Sequence, residues 1–201
     1  MAEKLTIEIF RKKDAEDFTL ALADPESRTA IGSGAAMTAA IAAAYLHRAA
    51  ALCAREQPED ERLAWFVRNS ETLRSYMVKL IDEDVKCRGP LRRALSEGDA
   101  QAIEAARQPA AAIANEIVNM MTQCLELLEE LAERAGDEAK TYIAASAELA
   151  MGAVRACIHY SVAMSRACTD ETYRFIVRRE NEITLENYRP VYERILEKTA
   201  N

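Results

Sequence analysis

Asp84 is the residue whose position most invites chemistry. The run Leu73, Met77, Leu80, Asp84 advances by four, three and four. That spacing puts the carboxylate on the apolar stripe of a helix and predicts that Asp82 and Glu83 point away. A carboxylate facing a core needs a partner or a task. The structural alternative is an ion pair with Arg88 or Arg155. His47 and His159 are the only histidines, and each falls on one of two alanine-rich segments, so both are expected to approach one cleft. Two histidines without a third ligand at helical spacing do not make a zinc site, and no metal is expected. Gly32, Ser33 and Gly34 stand just before one of those segments. Free N–H groups at the positive end of a helix can hold a carboxylate, a phosphate or a polarised carbonyl. The same glycines also serve turn geometry and close packing. No G-x-x-x-x-G-K-[ST], G-x-G-x-x-G or H-E-x-x-H pattern and no Ser-His-Asp spacing is present.

The elements that must position these residues read as helices. The chain has 201 residues, half of them hydrophobic but only 6% aromatic, with 6 glycines and 5 prolines. So few breakers leave little punctuation for an all-β fold, and the composition favours long helices. An all-α bundle of five or six long helices in one domain spanning 1–201 is expected, with two central alanine-rich helices. The first amphipathic helix is expected over residues 4–22, with Leu5, Ile9, Phe18 and Leu22 inward. The first alanine-rich helix follows over 35–54. A third helix, carrying Asp84, is predicted to end at Gly89-Pro90. Asp99 is placed to cap a short helix and Pro109 to kink or restart the chain. The stripe Ile113, Ile117, Met120, Cys124, Leu127, Leu128, Leu131 marks the next helix. The second alanine-rich helix is expected over 138–167. The last runs from a cap near Thr169-Asp170 to about Lys198, bent or divided by Pro190.

The formal charge is −7 and the pI about 5.1. That balance argues against nucleic acid and against an anionic membrane surface. The apolar stretch 143–164 has the length of a membrane span, but Glu148, Arg155 and His159 oppose that reading. The five cysteines include no C-x-x-C pair, and MAEKLTIEIFRKK lacks a signal-peptide core. Free thiols in a reducing cytoplasm are expected.

The order of segments resembles the cyclodeaminase/cyclohydrolase family, which includes the cyclodeaminase half of formiminotransferase-cyclodeaminase and methenyl-tetrahydrofolate cyclohydrolase. A glycine loop opens an alanine-rich helix, and a later helix ends in Leu80-Ile81-Asp82-Glu83-Asp84-Val85-Lys86. A helix after Pro109 closes with Ala132-Glu133-Arg134-Ala135-Gly136, a second alanine-rich helix follows, and Thr169-Asp170-Glu171-Thr172-Tyr173 opens the last. The resemblance covers roughly residues 5 to 195. It implies a helical homodimer that binds a folate in a cleft at or near the subunit interface. The implied chemistry hydrolyses or deaminates a one-carbon group on tetrahydrofolate, with no prosthetic group.

By that resemblance Asp84 matches the family's acidic position and is the expected acid/base, and Gly32 and Gly34 match part of its glycine loop. With Ser33 they would present dipoles to the substrate. The departures are specific. The prolines of the family loop are missing from Ser27 to Gly34, and Arg55-Glu56-Gln57-Pro58 replaces a basic segment. A family Ser-Asp pair falls near Thr141-Tyr142, with no acid. Family asparagines fall near His159 or Tyr160 and near Ala163 or Met164. His159 is therefore expected to stand in for a lost polar group, with His47 and Tyr160 lining the substrate. Two other readings fit the same departures: a binder of folate or a related metabolite without turnover, and a helical interaction protein.

Overall fold

The structure, a computed structural model, describes residues 8–200. Leu5 lies outside these residues. Within them the chain is helical, without a strand. A single 3-10 turn, Phe10–Lys12, precedes α1 (Ala15–Ala23), α2 (Ile31–Glu56), α3 (Glu61–Glu97), α4 (Ala100–Ala110), α5 (Ala112–Ala132), α6 (Asp137–Arg166) and α7 (Glu171–Thr199). The all-α reading holds, and five of the helices have 21 residues or more.

The starts are set largely by aspartates. Asp14 accepts from Asp17 N, Asp60 from Arg62 N and Leu63 N, Asp99 from Gln101 N and Ala102 N, and Asp170 from Tyr173 N. Each satisfies N–H groups that have no partner within the helix. The Asp14 cap also corrects the first helix, which begins at Ala15 rather than near residue 4.

Two prolines act differently from expectation. α3 continues through Pro90 for seven more residues, and Gly98, at φ 72, ends it. Pro90 removes one N–H and leaves the Lys86 carbonyl without its usual donor, but the turns on either side hold the helix together. Leu91 and Ala94 stay buried beyond the break. α7 likewise runs undivided past Pro190. At Pro109 the chain does restart: α4 closes at Ala110 and α5 opens at Ala112.

The two alanine-rich helices are central. α2 packs against both α3 and α6, and its Ala36, Ala39, Ala42, Ala43, Leu46, Ala49, Ala50 and Cys53 are completely buried. Methyl side chains let neighbouring backbones approach closely, so close packing replaces bulk as the source of cohesion. Ser146 Oγ of α6 donates to the Ala42 carbonyl at 2.7 Å, and the Tyr45 and Tyr142 rings lie 5.9 Å apart. Those pairs run in opposite sequence directions, so α2 and α6 are antiparallel. The N-terminal end of α2 therefore meets the C-terminal half of α6. Among the described helices, α2 is the one long and apolar enough to cross a membrane, and half of its most apolar stretch is buried inside the bundle. That differs from the sequence reading, which placed such a stretch on the later segment.

Candidate functional site

Gly32, Ser33 and Gly34 are not a loop before a helix; they form its first turn. Ala30 is the cap residue of α2 and its side chain offers no acceptor. The missing acceptor comes from Asp84 on α3. Its Oδ2 takes the Ser33 N–H at 2.8 Å and the Ser33 hydroxyl at 2.7 Å. The Ser33 hydroxyl also lies 3.3 Å from the Ile81 carbonyl. The expected anion site at the helix terminus exists, and the protein's own carboxylate fills it.

Asp84 is completely buried. Its other oxygen, Oδ1, packs on Gly32: a Cβ added there would fall 2.1 Å from Oδ1 and 2.5 Å from Cγ. Oδ1 has no hydrogen-bond partner. Burial raises the Asp84 pKa above its ordinary 3.8, while Ser33 and the Arg88 guanidinium pull the other way. A carboxyl in this state can hold a proton at a pH where ordinary carboxyls have lost theirs.

Arg88 follows Asp84 by one helical turn on α3. It does not close the ion pair that the spacing allowed: its Nε is buried and unpartnered. Its guanidinium stands 5.9 Å from the centre of the Tyr160 ring. Tyr160, buried on α6, lies 3.4 Å by its hydroxyl from the Ala110 carbonyl. Burial raises its pKa and Arg88 lowers it. Cys157 is pushed up to about 12 by burial, with the Asp84 charge adding to the effect, which leaves a thiol that does not ionise. Asp84, Ser33, Gly32, Arg88, Cys157 and Tyr160 thus share one end of the bundle.

The histidines do not join them. His47 Nδ1 lies 3.1 Å from both the Val67 carbonyl and Ser70 Oγ. Fifteen residues separate it from Gly32 along α2, roughly 22 Å at 1.5 Å per residue. The expectation that both histidines approach one cleft is therefore corrected: antiparallel packing puts them at opposite ends of the α2–α6 pair. His159 is level with the site, but it is exposed, on the side of α6 opposite the buried Cys157. Asp82 is corrected as well. It does not point to solvent; its Oδ1 accepts from Phe10 N at 2.8 Å and Arg11 N at 3.2 Å, and its Oδ2 pairs with the Arg11 guanidinium at 3.1 Å. It anchors the segment before α1 to α3.

A cleft of about 540 Å³ opens on the other side of the first turn of α2. Ile31, Gly34, Ala35 and Thr38 of α2 line it with Gly152, Ala153 and Ala156 of α6, and Leu22 and Ala30 close one end. The two alanine-rich helices flank it, but Asp84, expected on its stripe to line a cleft between them, is not in its wall. Among the described residues no group of three His, Cys, Asp or Glu side chains could hold a metal ion.

The family model of formiminotransferase-cyclodeaminase matches residues 14–182. The chain belongs to the formiminotransferase-cyclodeaminase family. Its fold is similar to that of the formiminotetrahydrofolate cyclodeaminase of Thermotoga maritima, solved by crystallography. The two share 17% identity with a TM-score of 0.86, over 94% of this chain and 96% of that one. Comparison with curated proteins gave no match. The family resemblance seen in the order of helices is thereby established. Arg88 and Asp82 also belong to this end of the bundle, although neither lies on the apolar stripe that marks Asp84.

Proposed function

We propose that this member of the formiminotransferase-cyclodeaminase family hydrolyses or deaminates a one-carbon group on tetrahydrofolate, with Asp84 as the general acid/base. The observation that carries this reading is the divided state of the Asp84 carboxyl: Oδ2 held by Ser33, Oδ1 buried and unpartnered. One oxygen fixes the group, and the other carries no competing hydrogen bond; it meets substrate only when the first turn of α2, which separates it from the cleft, moves aside.

In hydrolysis, water adds to the one-carbon centre. Asp84 takes the proton from that water and returns it to the ring nitrogen as its bond to carbon breaks. In deamination, the second folate nitrogen closes on the formimino carbon, and the protonated carboxyl delivers its proton to the departing amine as ammonia. Both routes pass through a tetrahedral carbon whose developing charge needs a fixed dipole or cation. The positive end of α2 is taken up by Asp84 itself, so the cation for this charge is the Arg88 guanidinium, whose Nε has no partner. Gly32 keeps side-chain bulk away from the Asp84 carboxyl, and Tyr160 stands beside Arg88. His159 and His47 stand apart from the group and take no part in these steps.

We infer a homodimer, as the family suggests; the exposed Ile31 and Ile41 on one face of α2 support it, and sedimentation analysis tests it. A metabolite-binding protein without turnover is the second reading, favoured by the absence of an acid at Thr141-Tyr142, where Tyr142 instead packs at a tilt against Tyr45 and lies under the Arg48 guanidinium.

The deciding experiment titrates tetrahydrofolate and its methenyl and formimino forms into wild type and Asp84→Asn, with absorbance followed for turnover. Turnover in wild type that Asp84→Asn lacks supports the enzyme. Binding without turnover in either protein replaces it with the binder. No binding of any folate rejects the enzyme and the folate binder together.

A further inference from the structure

Two contacts tie α3 to α5. The Arg62 guanidinium meets Glu130 at 2.6 Å, and further along α3 the Tyr76 hydroxyl donates to Glu116. The second pair lies later on α3 and earlier on α5, so the two helices are antiparallel. Between the ties runs a groove of about 350 Å³. Trp65, Asn69, Thr72 and Tyr76 line it from α3, each three or four residues after the last, so they form one row. Met120, Gln123 and Leu127 form the facing row on α5. From Trp65 to Tyr76 the row is roughly 16 Å long at 1.5 Å per residue. The seat is elongated.

Its walls are largely apolar, and its charge is negative. Leu73, Met120, Leu127 and the rings of Trp65 and Tyr76 are half-buried and line the groove. No lysine or arginine lines it. Glu126, in its wall, accepts the Tyr188 hydroxyl at 2.7 Å, and Glu116, at its end, accepts that of Tyr76. Neither carboxylate has a cation partner among the described residues, and each pushes the pKa of its tyrosine up. Two amides complete the wall. Asn69 Nδ2 donates to the Trp65 carbonyl, which leaves Oδ1 to accept, and the exposed Gln123 makes no hydrogen bond among the described residues.

These features select a ligand. A neutral apolar chain would take water from two carboxylates and return nothing to them. A small cation would leave the apolar walls uncovered. A methylene chain carrying ammonium groups meets both requirements. Its ammonium groups donate to the carboxylates and amide oxygens and are drawn to aromatic rings, while its methylenes cover Leu73, Met120 and Leu127. We propose that the groove between α3 and α5 is a binding site for a linear aliphatic polyamine. None of its residues belongs to the Asp84 group, so the site stands apart from the folate reading.

Calorimetric titration of spermidine into the full chain measures the affinity. The fluorescence of Trp65, the only tryptophan, reports whether the amine lies in the groove. Spermidine should bind wild type saturably and change that fluorescence with the same midpoint. Magnesium chloride at matched ionic strength should leave it unchanged, which separates a fitted chain from general screening. Glu116→Gln/Glu126→Gln should lose at least about tenfold in affinity, as expected when two charge-assisted contacts go. Gln123→Lys puts a cation in the groove from an exposed position and should weaken binding as much. Circular dichroism checks the folding of both, and Gln123→Lys carries the test if the double variant does not fold. No binding to wild type overturns the proposal, as does binding that leaves Trp65 unchanged. A magnesium response equal to that of spermidine, or equal affinity in wild type and Gln123→Lys, overturns it too.

Discussion

The Asp84 carboxyl occupies the space that a side chain on residue 32 would need: a Cβ there would lie 2.1 Å from Asp84 Oδ1. Gly32→Ala must therefore displace a completely buried carboxyl from its two Ser33 contacts. Overpacking of this kind costs about 1–3 kcal/mol, and denaturant unfolding measures it. In an Asp84→Ala background the same substitution should cost much less, because the clashing atoms are gone. Equal costs in both backgrounds would show that the two residues are not coupled.

The raised Asp84 pKa makes stability depend on pH. The folded protein holds this proton at pH values where the unfolded chain, with an ordinary value near 3.8, has released it. Folding then binds protons, so wild-type stability falls as pH rises from that ordinary value through the raised one. Asp84→Asn removes the term. Its stability relative to wild type should rise with pH across that window, by about 1.4 kcal/mol for each unit by which the pKa is raised. Thermal melts of both proteins over an acid-to-alkaline series give the comparison, and parallel curves would mean an unperturbed carboxyl.

Ser33→Ala deletes the shorter of the two hydrogen bonds to Oδ2 and leaves the carboxylate with the backbone N–H alone. A buried charge that loses a donor costs about 1–3 kcal/mol. The loss concerns the ionised form, so it should be larger at mildly alkaline than at mildly acidic pH. If turnover is found, the limb of its pH profile set by Asp84 should move upward in this variant. An unchanged profile would remove Ser33 from the positioning of the acid.

Two helix starts were legible because their signal is local: Asp99 and Asp170 each sit just before the turn whose N–H groups they accept. The alanine-rich pair was legible for a similar reason, since a helix small on most faces has to be surrounded. Asp84 was found by its stripe, but Asp82 was misjudged, because a stripe assumes one buried face. α3 is covered on two sides at that level, by α2 and by the segment around Phe10, so residues 200° apart are both enclosed. The histidines were misplaced because periodicity gives a side chain's face and says nothing of which end of a neighbouring helix lies beside it. Proline was read as a stop at Pro90, where the packing of Leu91 and Ala94 outweighed one lost hydrogen bond.

Pro90 offers a test of that balance. Pro90→Ala restores an N–H for the Lys86 carbonyl at an exposed position inside α3. The variant should be more stable by about 1–3 kcal/mol, with the unfolding midpoint in denaturant as the measure. A loss of stability would instead mean that the local geometry imposed by the proline is needed to seat Leu91.

Because Ala30 cannot cap α2 and Asp84 does so from 51 residues downstream, the opening turn of this helix has its anchor on a part of the polypeptide synthesised later. On the ribosome, α2 emerges with its first turn unsecured and waits for α3 before the glycine-serine turn can settle. The Ser33 amide is therefore a reporter of maturation. Its exchange with solvent should slow only when the two helices have joined, so the candidate site comes into being as a late event of folding.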